Sequence, residues 1–187
     1  MAPRAGAYVR RMKLYALSAI GRDRPGIVAA ISRVLLELKG NVEDSQMAIL
    51  RGHFAVMLIV ALPDEVAREQ LVKDLDAVRD ELGLAAIAVS EVDQVDGGPR
   101  ASHVLSVYGA DHPGIVHSIS SALAERGISI TGLETRVAGG EASPIYVMLM
   151  EIAVGDGDPG AVETELKRIG QAEGLDVSLR ELSADAL

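Results

Sequence analysis

The chain lacks cysteine and tryptophan altogether, and its 187 residues include one phenylalanine and four tyrosines. Without thiols there is no disulfide framework, no thiolate metal site and no cysteine nucleophile, a composition that fits a reducing compartment and leads us to expect a cytoplasmic protein. With aromatics at 3 % no platform is available for stacking bases. The cores must therefore be built from Val, Ile, Leu and Ala. Excess positive charge is also missing. Residues 1–95 hold 12 Lys and Arg against 13 Asp and Glu, and residues 96–187 hold 6 against 14, so the halves carry −1 and −8 of the net −9. Without a basic stripe, neither direct nucleic-acid binding nor attachment to an anionic membrane is expected. The acidic second half could meet a basic partner or serve only as a solvated surface. No run of 18 apolar residues occurs, and Met1 to Arg11 has no apolar core of signal-peptide length, so residues 1–11 are expected to be a flexible tail.

What the chain does contain is a repeat. Gly21-Arg22-Asp23-Arg24-Pro25-Gly26-Ile27-Val28 recurs 88 positions later as Gly109-Ala110-Asp111-His112-Pro113-Gly114-Ile115-Val116. The same shift also preserves Leu17/Leu105, Ile31/Ile119 and Leu35/Leu123. Self-similarity at a fixed offset implies two copies of one structural unit. Each copy reads as an apolar strand, a turn, and a helix whose first turn should hold the proline.

In order, Met12 to Ile20 predicts a central strand. Ile27, Ile31, Val34, Leu35 and Leu38 then form one helical face, which Gly40 should stop as a C′ residue. Val42 to Leu50 and Phe54 to Leu62 predict two more strands. Pro63-Asp64 should open a second helix carrying Leu71, Leu75, Val78 and Leu82 up to Gly83, and Leu84 to Val92 completes the unit. The order β-α-β-β-α-β is the ferredoxin-like arrangement, an α+β fold in which four antiparallel strands carry two helices on one face. Domain 1 is expected over 12–92, a linker over 93–100 around Gly97-Gly98-Pro99, and domain 2 over 101–183. Aligning Val56-Met57-Leu58 with Val147-Met148-Leu149 raises the offset to 91 and predicts a hairpin loop three residues longer around Gly139-Gly140. Asp158-Pro159 should cap and open the last helix, and Leu175, Val177 and Leu179 alternate as a strand with one wet face.

The duplicated turn is the strongest chemical signal. The first N–H groups of a helix lack intrahelical partners and lie at the positive end of its dipole, so they can receive a carboxylate or phosphate, and Gly26 and Gly114 would let it approach closely. A helix start with nothing bound satisfies the same pattern. Elsewhere the chemistry is sparse. No two of His53, His103, His112 and His117 have the spacing that places two ligands on one helix face, so no metal site and no cofactor are expected. His112, inside the turn, could contact an anion or be an ordinary loop histidine. The repeated Ser18, Ser106, Ser32 and Ser120 read as small packing residues, and Met47, Met57, Met148 and Met150 as strand core residues. With no acid, base and nucleophile assembled, no catalytic residue is nominated and an enzyme is not expected.

These residues resemble the ACT domain, a small βαββαβ regulatory module that commonly binds amino acids. The resemblance rests on Asp23-Arg24-Pro25-Gly26-Ile27-Val28 followed by Gly40-Asn41-Val42-Glu43-Asp44-Ser45, and it covers residues 12 to about 92 and again about 102 to 183. A tandem pair is most similar to the glycine cleavage system transcriptional repressor group, and the first copy also resembles the ACT domain that precedes formyltetrahydrofolate deformylases. In this family ligands sit where the turn after the first strand meets a neighbouring domain or subunit. By position, the resemblance implies a ligand site at Asp23, Arg24, Pro25, Gly26 and Ile27 with Asn41, and a second at Asp111, His112, Pro113, Gly114 and Ile115. Ser129 stands where the first copy has Asn41, so one site, two unequal sites or none are compatible. The function implied is amino-acid sensing, with glycine or serine as first ligands and a protein partner such as a transcription factor or a metabolic enzyme. Exposed sheet edges favour a homo-oligomer. A ligand-free interaction adaptor and an orphan regulatory subunit of a biosynthetic enzyme are the alternatives.

Overall fold

The computed structural model describes residues 12–92, 98–138 and 144–182. The expectations for the 1–11 tail, for residues 93–97 of the linker, for the loop at 139–143 and for residues 183–187 lie outside the described residues. The chain divides into two compact units, Met1–Asp96 and Gly97–Leu187. The first contains β1 (Met12–Arg22), α1 (Ile27–Glu37), β2 (Asn41–Leu50), β3 (His53–Pro63), α2 (Arg68–Leu82) and β4 (Ala86–Val92). The second contains β5 (His103–Ala110), α3 (Ile115–Ala124), β6 (Ser129–Ala138), β7 (Ile145–Ala153), α4 (Pro159–Glu173) and β8 (Leu175–Glu181).

Each unit is one antiparallel sheet, in the order β2-β3-β1-β4 and β6-β7-β5-β8, with two helices, which is the ferredoxin-like α+β arrangement. The first strand of each copy is central, as its two apolar alternations require: Leu17 lies opposite Leu58 on one side and Val89 on the other. Period-2 and period-3.6 patterns then meet in a core. Leu17, Ile31, Leu35, Leu71 and Leu75 fill the first, and Leu105, Ile119, Leu123, Met148 and Leu166 fill the second. No described helix is long and apolar enough to cross a membrane.

The register corrects the alignment of the copies. Ala19 faces Val56, and its equivalent Val107 faces Met148, so β3 and β7 are offset by 92 positions and not by 91. The slip matters because one residue exchanges the two faces of a strand. Met57, which the offset of 91 pairs with Met148, is 57 % exposed while Met148 is fully buried. The methionines therefore divide: Met148 and Met150 are core residues as expected, whereas Met47 and Met57 are exposed.

Four helix ends also differ from expectation. Pro25 and Pro113 precede α1 and α3 instead of lying in their first turns, because Gly26 and Gly114 are the N-caps. α2 starts at Arg68, since Pro63 ends β3 and its carbonyl accepts the Val66 N–H in a turn. At the end of α1 the left-handed residue is Lys39, with φ 57°, and not Gly40. The Lys39 N–H donates to the Leu36 carbonyl and the Gly40 N–H to the Leu35 carbonyl, a Schellman motif with lysine in the glycine position. Gly40 is needed for space instead: a Cβ there would lie 2.5 Å from Leu62 Cδ2 and 3.1 Å from the Ala61 carbonyl oxygen.

Candidate functional site

The turn after the first strand is built the same way in both units. Gly21 and Gly109 permit the strand to pass the chain leaving the second helix, since a Cβ would fall 2.7 Å from Leu84 Cδ2 and 2.5 Å from Leu175 Cδ2. Asp23 and Arg24 follow without regular structure, and the Asp23 N–H donates to the Gly52 carbonyl at 2.9 Å, tying the turn to the β2–β3 hairpin. Gly26 and Gly114 then adopt φ 98° and φ 108° with nothing within 4 Å of where a Cβ would stand, so conformation and not space demands glycine. No side chain caps either helix and neither first turn carries an acidic residue. Ile27 and Ile115 close the floor of each turn in the core. Such an N-terminus can receive an anionic group through its unpaired N–H groups.

Asn41 is not brought to this turn. It opens β2 opposite Ala61, at the end of the sheet reached after the full length of α1, whereas the turn lies beside the Gly52 hairpin. An 11-residue helix separates them by about 16 Å at 1.5 Å per residue. Asn41 Nδ2 donates to Glu43 Oε1 at 2.9 Å. With Ala29, Ser32, Arg33 and Leu36 of α1, Asn41 borders a shallow, open depression of about 510 Å³.

The position after the aspartate reaches the second helix in both copies. Arg24 Nη2 lies 3.6 Å from where a Gly83 Cβ would stand, so its cation sits at the carbonyl end of α2. His112 takes the equivalent place. Its Nε2 is 3.3 Å from the Glu173 carbonyl and its Nδ1 is 3.2 Å from the Pro113 carbonyl. Both partners accept, so a neutral ring can donate to one and an imidazolium to both. The repeated serines are not at helix–strand contacts: Ser32 and Ser120 donate to the Ala29 and His117 carbonyls of their own helices, and Ser18 and Ser106 alternate away from the core positions Leu17 and Leu105.

Residues beyond the sequence motif also border the second turn. Tyr146 is only 8 % exposed and lies opposite Gly109, as Phe54 lies opposite Gly21. Its hydroxyl contacts Met148 Sδ at 3.9 Å. Burial pushes the Tyr146 phenol above its ordinary range, a hydrogen bond with Thr135 offsets part of this, and the Asp111 carboxylate adds to it. At the end of α4, Glu173 Oε2 is buried without a hydrogen-bond partner. Sequence reading missed Tyr146 and Glu173 because both lie past the longer hairpin, where the offset of 88 no longer pairs the copies.

Comparison with known families matches residues 15–89 and residues 103–171, each to the ACT domain. A UPF0237 protein of Methanopyrus kandleri is 41 % identical over 76 residues, 40 % of this chain and 84 % of that one. One of Methanocaldococcus jannaschii is 37 % identical over 81 residues, 43 % of this chain and 90 % of the relative. Among solved structures, a Galdieria sulphuraria protein superposes with a TM-score of 0.78 at 28 % identity, covering 92 % of this chain and 100 % of that one. A protein provisionally named as a glycine cleavage system transcriptional repressor superposes with a TM-score of 0.68 over 92 % and 98 %, and at 16 % identity this shows a shared fold. The repeat, the two sheet orders and the paired turns thus agree with these matches: the chain belongs to the ACT domain family and carries two ACT domains in tandem.

Proposed function

We propose that this chain is a non-catalytic regulatory protein that binds a small amino acid, with glycine and serine the first ligands to test, and signals through contact with a protein partner. The observation that carries the reading is the pair of uncapped helix N-termini behind Gly26 and Gly114, each offering free first-turn N–H groups for a carboxylate. ACT domains generally bind amino acids, which supports the choice of ligand class. Asp23, Arg24, Pro25, Gly26 and Ile27 form one proposed half-site, and Asp111, His112, Pro113, Gly114 and Ile115 another. Asn41 supplies the opposite wall from a second copy of the chain, because it stands too far from its own turn. A ligand held this way changes function only by favouring one arrangement of the copies over another. The partner is a transcription regulator, as the resemblance to the glycine cleavage repressor group suggests, or a metabolic enzyme.

Thermal unfolding of the full chain with each of the twenty amino acids tests the reading. A bound ligand raises Tm by mass action, and Asn41→Ala should reduce the rise. If no amino acid raises Tm, the sensor reading fails. A ligand-free adaptor is the second reading, favoured by exposed Met47, Ile49 and Leu50 on edge strand β2. It predicts that Gly26→Trp and Gly114→Trp leave partner capture intact.

A further inference from the structure

The second unit shows how the sheet face turned away from the helices is furnished when it meets water. Glu134, Arg136, Glu151, Asp176 and Arg180 all stand exposed on it. Sheet register equates them with Gln46, Ala48, Ile59, Ala86 and Ser90 of the first unit. The backbone thus accepts charge at positions where the first unit carries none. Ala16, Ser18, Ala48, Ala55, Ala86 and Ala88 make a low, even floor there, and the exposed Ile20, Leu50 and Met57 rise from it. From Leu14 to Arg22 this face runs about 26 Å at about 3.3 Å per residue, and its four strands span about 19 Å. A largely apolar area of about 500 Å² is of the size that marks an interaction site. Two such faces packed together cover about 1,000 Å², where specific interfaces begin.

The charges on this face are placed at opposite corners. Arg22 lies opposite His53 and Asp44 opposite Ile59, six positions along β3, so the two are separated by about 20 Å along the strands and by two strand spacings, about 10 Å, across them. Neither has an ion-pair partner among the described residues, and Asp44 accepts the neighbouring Ser45 N–H at 2.7 Å. At the bulge beside it, Glu43 accepts from Asn41 and adds to the same sign of charge. A face with one positive and one negative corner is complementary to itself. A two-fold axis lying between two copies, midway between these corners, sets each Arg22 against the other copy's Asp44. That axis crosses β3 at Val56, between the outward-facing Ala55 and Met57. A foreign partner would need a matching pair of charges at the same spacing; a second copy already has it.

We infer that the outer sheet face of the first unit is the surface on which two copies of this chain pair, sheet against sheet, about a two-fold axis at Ala55 and Met57, with Arg22 of each facing Asp44 of the other. The pairing needs no ligand and stands or falls apart from amino-acid sensing.

Sedimentation velocity of the full chain at micromolar concentration is the test. The wild-type protein should run at the mass of two chains. Met57→Lys, which sets two ammonium groups against each other at the axis, should run at the mass of one. Met57→Leu installs the residue that the second unit carries in the same place, Leu149, and should still pair. Arg22→Asp and Asp44→Arg each bring like charges together and should weaken pairing at least about tenfold, whereas the two combined should restore it. All three positions are exposed on strands, so the variants should fold, with far-ultraviolet circular dichroism equal to wild type. A wild-type protein that runs as a single chain overturns the assignment and leaves the face to a different protein. A Met57→Lys variant that stays paired overturns it by moving the contact to another surface. Failure of the double variant to recover what the single variants lose overturns the two-fold pairing of Arg22 with Asp44.

Discussion

The sheet faces turned away from the helices differ between the two units far more than the cores do. In the first unit this face presents Leu14, Ala16, Ser18 and Ile20 from β1, Gln46 and Ala48 from β2, Ala55 and Met57 from β3, and Ala86, Ala88 and Ser90 from β4, with Arg22 at the end of β1 and Asp44 on β2 as its charged members. In the second, Ser106 and Val147 are flanked by Glu134 and Arg136 on β6, Glu151 on β7, and Asp176 and Arg180 on β8. The backbone, by contrast, is held in common by the glycines at 21 and 109 and at 26 and 114, whose roles are steric or conformational. Duplication has kept what the fold cannot exchange and released what only solvent, ligand or partner would notice.

If that is so, core substitutions should strike both units alike. Leu17→Ala and Leu105→Ala, each at a fully buried central-strand position, should each cost about 2–5 kcal/mol in denaturant unfolding. A large inequality between them would break the comparison at its most conserved point. Next in size, Gly21→Ala and Gly109→Ala should each cost about 1–3 kcal/mol through overpacking. The two costs should be similar, because each Cβ meets backbone as well as a leucine methyl: Leu84 Cα at 3.1 Å from Gly21 and the Gly174 carbonyl oxygen at 3.0 Å from Gly109.

A smaller effect separates the units at the ends of α1 and α3. Lys39 holds φ 57° where its equivalent Gly127 holds φ 67°, so the first unit bears a left-handed cost that the second avoids. Lys39→Gly should stabilise by up to about 1 kcal/mol and Gly127→Ala should destabilise by about as much, both read from the shift in denaturation midpoint. Smallest of all for stability is Met57→Lys on the largely apolar outer face of the first unit, expected within about 0.5 kcal/mol of wild type. Its value lies in sedimentation: if that face is covered in the assembled protein, the variant should dissociate, whereas an unchanged sedimentation coefficient would mark the face as solvent-exposed.

Much of this architecture was legible in the chain because its signals are local. The offset of 88 identified the two units, Gly83 and Gly174 marked helix ends with glycine, and Asp158 was recognisable as a cap, its side chain accepting the Gly160 N–H at 2.9 Å. The offset past the hairpin was not legible. Val56-Met57-Leu58 and Val147-Met148-Leu149 match as text, but β3 has apolar residues on both faces, so hydrophobicity could not say which methionine faced the core. Only pairing with β1 and β5 fixes that register. The candidate site divided the same way. Its turn is contiguous in sequence and was visible at once, whereas Tyr146 and Glu173 reach it through a sheet pairing and a helix end that no linear spacing encodes. Asn41 shows the converse: near the turn in the motif, it is an entire helix away in space.

The most direct test of the central claim is a calorimetric titration of the full chain with the twenty amino acids, serine and glycine first, carried out at two protein concentrations. An amino acid held at such a turn and walled by Asn41 of another copy should give saturable heat, and an affinity that weakens as the protein is diluted. An affinity independent of dilution would contradict that arrangement. No heat from any of the twenty amino acids, with Tm unmoved, would contradict amino-acid sensing itself.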